Sequence, residues 1–447
     1  MLSLRRTQVK LSNMINTKGH KIQPPTNANR RPTKINAWAV WIAAGLFYCY
    51  EVILRAGPGV MTQGIMDTFN VDATNLGLLT SFYYYAYVPL QIPAGMLLDK
   101  IGPRAVIAIS SLLCTLGTWL FATTTDIHVA QFARFILGAG SACAFISCLK
   151  IASEWFCLTR FAFIAGLTNM LGTLGGTFAA VPLSILVNYA SWQQATLWLA
   201  YAGVGITLIC WLLIRDKPKI IKTKNMPPKP TVSLRKALAI LAFDKQIILA
   251  GAIGGLMYVP ISSFAELWAV PFLMSSLNID NEWASFGSTM VFIGMAIGSP
   301  FVAKLAFKQK SYIKLMKLSA IASAFFFLLG SYAKTMGYLP SIATLFLGGL
   351  WLGAQVLCFS VVKERVPNEV SGTAMGYTNA MVMLSGVIFL PLMGWILDSG
   401  WSGSFDNFGI RTYSADDYQH AIFAVPACLI ISWCLLNFCK DSHPKVD

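Results

Sequence analysis

The sequence predicts an all-α membrane protein whose twelve transmembrane helices form two pseudo-symmetric six-helix bundles, with both termini cytoplasmic. Three observations carry this expectation. The chain has 447 residues, of which 56% are hydrophobic and only 12% charged, against about 25% charged in an ordinary soluble domain. Its apolar residues fall into twelve long stretches. Its basic residues collect in alternate connections between those stretches.

A membrane-crossing helix needs about 20 predominantly apolar residues. Such stretches run over residues 37–60, 74–98, 104–123, 127–153, 161–187, 194–214, 246–273, 284–307, 311–333, 338–362, 371–397 and 418–438. Cytoplasmic loops are enriched in Lys and Arg. With this assignment one side receives Lys100 and Arg104, Arg160, the 215–245 segment, the Lys304–Lys317 run, Lys363 and Arg365, and Lys440 and Lys445. The other side receives only Lys334 and Arg411. An even number of spans follows. The same asymmetry accounts for the net charge of +15, so a nucleic-acid partner is not needed to explain it.

Residues 1–36 are polar and basic, with no apolar core or cleavage site, and read as a cytoplasmic tail in place of a secretory signal. Residues 37–214 form the expected N-terminal bundle and 246–438 the C-terminal one. Between them, 215–245 is Pro- and Lys-rich and reads as a semi-extended cytoplasmic linker, in which Leu234–Ala242 is short and amphipathic enough for a surface helix. Residues 439–447 form a second cytoplasmic tail. The two halves echo each other: a shift of 210 residues carries Gly77 onto Gly287, Gly138 onto Gly348, Glu154 onto Glu364, and Gly166, Thr168, Asn169 and Gly176 onto Gly376, Thr378, Asn379 and Gly386. A parallel six-span repeat fits a carrier with its site near the midplane between the halves.

The ten cysteines lie almost all in apolar runs, and the four histidines are scattered. Metal and disulfide frameworks need clustering, so no metal, cofactor or disulfide is expected, and the cysteines read as small buried hydrophobes. No clustered His, Cys or paired acids suggest an enzyme, and no Gly-x-x-x-x-Gly-Lys-(Ser/Thr) run suggests an ATP-driven pump.

Between the second and third spans the chain reads Gly95-Met-Leu-Leu-Asp99-Lys100-Ile-Gly102-Pro-Arg104. Physically, Gly95 permits close helix approach, Asp99 closes one helix and Arg104 opens the next. Such a cluster can latch one conformation and break in another. The run resembles the Gly-x-Leu-x-Asp-(Arg/Lys)-x-Gly-x-(Arg/Lys) signature of the major facilitator superfamily. The resemblance implies the major facilitator fold and a cytoplasmic gate at Gly95, Asp99 and Arg104. The matching place in the second half, Gly298-Ser-Pro-Phe-Val-Ala-Lys304, lacks the acid, which implies an asymmetric gate. Gln131-Phe-Ala-Arg134-Phe-Ile-Leu-Gly138-Ala-Gly140 is similar to the fourth-helix signature of that superfamily. Tyr50-Glu51 through Arg55-Ala-Gly-Pro58, followed by Phe82-Tyr-Tyr-Tyr-Ala-Tyr87, resembles two of its branches: the organic anion/cation symporters, and the lysosomal-dipeptide-transporter-like group with its bacterial relatives.

Charges inside a membrane span are functional candidates, because each costs at least ~2.5 kcal/mol to insert. Glu51 and Arg55 are spaced i,i+4 and share a helix face. Arg134 lies at a similar depth, and a Glu51–Arg134 contact is expected if the first and fourth spans adjoin. Tyr258, Ser262 and Glu266 recur along one face of the seventh span, where Glu266 either binds an amine or a proton or rests at the interface beside Trp268. Tyr84, Tyr87 and Gln91 share a face of the second span, Asn169 and Thr173 one of the fifth, Asn379 and Met383 one of the eleventh, and Gln355 is an isolated amide in the tenth. Amides and tyrosines can line a cavity or tie helices together. Lys150 and Glu154 read as a structural pair away from the site.

The substrate and proton site is therefore expected among Glu51, Arg55, Arg134, Glu266, Tyr84, Tyr87, Asn169, Tyr258, Gln355 and Asn379. The expected function is secondary active transport of a small carboxylate-bearing solute by alternating access, with the proton as coupling ion, the lipid bilayer as surroundings and a monomer as the working unit in a bacterial inner membrane. A facilitative uniporter, for instance of dipeptides, and an exporter of drugs, metabolites or siderophores are the alternatives. Superfamily antiporters usually carry Gly-Pro-x-x-Gly-Gly in the fifth span. This chain has Leu171-Gly172-Thr-Leu-Gly175-Gly176 there, which disfavours antiport.

Overall fold

The structure is a computed structural model that describes residues 34–156, 158–216, 238, 241–309, 311–366, 370–405 and 411–440. Met1–Trp38 and Ala39–Asp447 are separate units. Of the first, only the opening of the first helix is described, and the account below concerns the second. The expected surface helix at Leu234–Ala242 lies mostly outside the described residues.

The described chain is helical. The first span, Lys34–Ala56, tightens into a 3-10 turn at Gly57–Val60, and the short helix Thr62–Phe69 leads to the second span, Ala73–Ile101. The third span is Pro103–Thr123, the fourth Ile127–Ser141 with Ala144–Trp155, the fifth Leu158–Tyr189 and the sixth Trp192–Leu213. The seventh runs through Lys245–Val259, Pro260–Trp268 and Ala269–Leu277. The eighth is Asn281–Gln309, the ninth Tyr312–Gly330, the tenth Tyr338–Leu352 with Leu357–Lys363, the eleventh Ser371–Gly400 and the twelfth Ala415–Ile422 with Ala424–Leu435.

Among the described residues eleven helices are long and apolar enough to cross a membrane. The twelfth, the second span, has the length, 29 residues, or roughly 44 Å at 1.5 Å per residue. Its tyrosines, amides and two prolines lower its hydropathy. Helix starts are set where short polar side chains cap free backbone N–H groups: Asp72 accepts from Asn75, Asp126 from His128 and Val129, Ser191 from Gln194, and Asp244 from Gln246 and Ile247. Ser414 and Asp417 form a complete capping box. The seventh span departs from the regular face expected of it. Between Pro260 and Pro271, neither of which can donate a backbone hydrogen bond, it widens into a π-helix over Pro260–Trp268. This shifts Glu266 relative to Tyr258.

Packing repeats between the halves. The second span packs on the fourth and the third on the sixth; correspondingly the eighth packs on the tenth and the ninth on the twelfth. Small residues set these distances, as expected where van der Waals contact drives association. At Gly138 a Cβ would collide with the backbone carbonyl of Tyr83 on the second span. Across the halves, the second span lies against the eleventh and the fifth against the eighth. Large apolar side chains such as Leu116, Trp119, Phe178, Phe325 and Ile388 are exposed on the surface that faces lipid.

Six described cysteines are buried, Cys434 is exposed and Cys49 and Cys439 are half-buried, all as free thiols. No group of three or more metal-ligating side chains occurs among the described residues.

Candidate functional site

Four charges converge where the first, second, fourth and seventh spans meet. Glu51 is fully buried, and Arg55, Arg134 and Glu266 are 8%, 2% and 4% exposed. Arg55 Nε donates to Glu266 Oε1 at 3.1 Å, joining the first span to the seventh. The Tyr84 hydroxyl donates to Glu266 Oε2 at 2.6 Å. The neighbouring Tyr83 hydroxyl donates to Glu51 Oε2 at 2.8 Å. The Arg134 guanidinium stands 5.4 Å from the Tyr83 ring centre, within range of a cation–π attraction. Two acids and two cations thus balance in one buried cluster, Glu266 held by Arg55 and Tyr84 and Glu51 by Tyr83.

The expected Glu51–Arg134 contact does not form. Arg134 instead donates to the carbonyls of Leu54 at 2.9 Å and Arg55 at 3.4 Å. These are carbonyls at the end of the first helix, where the 3-10 turn leaves them without helical donors and a cation is favoured. Arg134 Nε and Glu51 Oε1 are buried with no hydrogen-bond partner among the described residues. Glu266 and Trp268 are both buried within the protein.

A cavity of about 10 Å³ lies among Arg55, Thr80, Tyr84, Arg134, Ser262 and Glu266, roughly the room one water molecule needs. Charges that are costly in hydrocarbon therefore border a small void at the seam between the halves, which Pro58, Leu267 and Leu390 also line.

The remaining candidates take different places. Tyr87 stacks on Tyr83 with ring centres 5.5 Å apart. Tyr258 is half-buried and lies beside Arg55. Ser262 meets Ser385 of the eleventh span at 2.8 Å. Asn379 donates to Gln91 Oε1 at 3.1 Å, and Gln91 donates to the Ala142 carbonyl at 3.2 Å, in the break of the fourth span. Gln355 reaches the Gly254 carbonyl of the seventh span at 3.5 Å. Asn169 is exposed, so the repeat-matched asparagines differ in setting. Lys150 and Glu154 form the expected pair at 3.1 Å. Tyr83 was not among the residues singled out from sequence. The period-based face of Tyr84, Tyr87 and Gln91 passes it by, and only its place inside the Tyr-Tyr-Tyr run pointed to it.

At the gate motif, Gly102 has φ +98°, a conformation that favours glycine. The Arg104 backbone N–H donates to Asp216 at 3.0 Å, its Nε donates to the Trp211 carbonyl at 3.2 Å and its guanidinium lies 4.5 Å from the Trp211 ring centre. Arg104 thus ties the third span to the end of the sixth. Among the described residues the close approach expected at Gly95 is absent in this conformation, with none of their atoms within 4 Å of where a Cβ would stand. The Asp99 side chain lies outside the described residues.

Comparison with known proteins agrees with this geometry. The model of the Major Facilitator Superfamily matches residues 40–390. A probable sulfoacetate transporter (SauU) of Cupriavidus necator is 28% identical over 39% of this chain. The match spans only 40% of that relative's length. The lysosomal dipeptide transporter MFSD1 of Mus musculus is 24% identical, over 80% of this chain and 78% of its own. A bacterial homologue of the human lysosomal transporter Spinster, crystallised inward-facing and unoccupied, superposes with a TM-score of 0.72 at 18% identity, covering 91% of this chain and 97% of that one. At that identity the likeness concerns the fold. The family match over most of the chain, the helical architecture and the signature at Gly95–Arg104 agree: the chain belongs to the Major Facilitator Superfamily and is an integral membrane transporter.

Proposed function

We propose that this transporter carries a small polar solute bearing a carboxylate (an organic acid, amino acid or dipeptide) by alternating access, in symport with a proton. The buried Arg55–Glu266 pair carries this reading, because it joins the two halves beside the cavity. A guanidinium binds a substrate carboxylate as it binds Glu266. Substrate therefore competes with Glu266 for Arg55, and a proton on Glu266 releases Arg55 to the substrate. Arg134 braces the turn that carries Arg55 and adds a second positive charge. Glu51, held by Tyr83, is the other candidate proton carrier.

In this reading residues 37–214 and 246–438 rock as two bundles about the site, linked by 215–245. Both termini are cytoplasmic, the unit is a monomer and the setting is a bacterial inner membrane. The two arginines and two glutamates sum to zero charge, which favours one second reading, uncoupled uniport of a zwitterion such as a dipeptide.

Uptake by purified protein in liposomes tests both. An inward-directed proton gradient is expected to concentrate a radiolabelled organic acid or dipeptide. Uptake that only equilibrates, whatever the gradient, supports the uniporter. Uptake of cationic or uncharged solutes alone, with no carboxylate transported, would exclude the substrate class.

A further inference from the structure

The second and eleventh spans fit tightly at one end and, among the described residues, loosely at the other. Side-chain positions added at Gly77 and Gly394 would collide with backbone of the opposing span, whereas one at Gly95 would meet no atom of the described residues within 4 Å. The tight end is fastened by Asp398, the last acid of the eleventh span. One carboxylate oxygen accepts from the Thr74 backbone N–H at 2.7 Å and from the Thr74 hydroxyl. The other accepts from the Tyr413 hydroxyl and from Arg411 at 3.3 Å. Tyr413 in turn accepts from the Ala73 backbone N–H at 3.0 Å. Asp398 is 11% exposed and sits on the first turn of a 29-residue helix, where free N–H groups and the helix dipole favour an anion. Burial and the bond to Asp398 raise the Tyr413 phenol above its ordinary value, so it remains a donor.

Sequence ties this contact to two others. Gly394-Trp-Ile-Leu-Asp398 repeats the pattern of Gly95-Met-Leu-Leu-Asp99, which by chain direction lies at the opposite end of the same helix pair. The 210-residue shift between halves also carries Asn188 onto Asp398. Asn188, ending the fifth span, donates to Glu282 at the start of the eighth at 3.3 Å. Both cross-half helix pairs thus bring a polar side chain at the end of one span to the beginning of its partner.

We propose that Asp398, with Thr74, Arg411 and Tyr413, is a latch that holds the face of the transporter carrying Asp398 and Tyr413 closed and must break for that face to open. The latch does not depend on the substrate or the coupling ion, so its test uses neither.

Thr80 lines the cavity and is buried, so it serves as a reporter. Thr80→Cys is labelled with a membrane-impermeant thiol reagent applied to the face that carries Asp398 and Tyr413, and labelling of the parent chain is subtracted. Asp398→Asn is expected to speed labelling at least roughly tenfold, the factor for loss of one charge-assisted hydrogen bond. Thr74→Val, which removes only a hydroxyl, is expected to give a smaller increase. If Asp398→Asn does not fold, Thr74→Val decides alone. Folded variants that label at the rate of Thr80→Cys alone would overturn the latch.

Discussion

Arg55 and Glu266 are 211 residues apart in sequence and form a 3.1 Å ion pair with side chains 7% and 3% exposed. Within hydrocarbon neither charge is tolerable alone, and each is the other's counterion. The pair therefore contributes to two properties at once: it closes the seam between the first and seventh spans, and it occupies the groups that a zwitterionic or anionic substrate would use.

Breaking such a pair by removing one partner costs about 3–5 kcal/mol, whereas replacing both is often near neutral. Arg55→Met and Glu266→Gln should therefore each lower the unfolding midpoint, and the double variant should recover most of the loss. All variants lacking Arg55 should lose uptake. Glu266→Gln should still exchange substrate across the membrane but stop responding to a pH gradient. The stability arm is a double-mutant cycle; a coupling energy indistinguishable from zero would show that the contact does not hold the seam.

Tyr83 supplies the hydrogen bond to Glu51 Oε2, while Oε1 has no partner among the described residues. Tyr83→Phe keeps the ring beneath Arg134 and removes that donor. A hydrogen bond to a charged group is worth about 1.5–3 kcal/mol, so Tyr83→Phe should destabilise by that order if Glu51 is ionised when the site is closed. Glu51→Gln should blunt the effect, because the lost bond then serves a neutral amide. Equal losses from Tyr83→Phe in the parent chain and in the Glu51→Gln variant would mean that the hydroxyl serves packing alone.

Gln91 joins three elements, donating to the fourth span's Ala142 carbonyl and accepting from Asn379 of the eleventh. Gln91→Leu leaves both groups without it and should cost about 1–3 kcal/mol. Asn379→Leu breaks one bond at a half-buried place and should cost less. Thermal unfolding of the two variants in one detergent ranks them, and a reversed order would place the tie at Asn379.

The spans were legible because hydrocarbon allows little choice: about twenty apolar residues must appear each time the chain crosses. The second span met the length but not the hydropathy because its Tyr83, Tyr84 and Gln91 serve the interior. Glu51, Arg55, Arg134 and Glu266 stood out because isolated charges in apolar runs are rare. Their partners did not. Which helices adjoin across the halves is a property of tertiary packing, so Glu266 had no visible counterion, and Arg134 found carbonyls that no side-chain pattern can announce. The widening at Pro260–Trp268 needed two prolines read together. Asp398 passed as one more charge at a span end, although its Gly-x-x-Leu-Asp context repeats that of Asp99.

Gly138 and Gly95 make opposite predictions, which separates packing from gating. At Gly138 a methyl group would strike the Tyr83 backbone, which cannot move as a flexible side chain could. Overpacking there should cost about 1–3 kcal/mol or more, so Gly138→Ala should reduce the yield of folded protein. Gly95 meets no atom of the described residues within 4 Å in the present conformation, so Gly95→Leu should leave the unfolding free energy within about 0.5 kcal/mol of the parent. Yet Gly95 opens the Gly-x-x-Leu-Asp run at the loose end of the second and eleventh spans. If transport requires that end to close as tightly as Gly77 and Gly394 now close the other, a leucine at 95 should block the return step. Gly95→Leu should then bind substrate with little change and fail to turn over. Normal turnover by that variant would mean that the loose end never closes to the distance seen at the tight one.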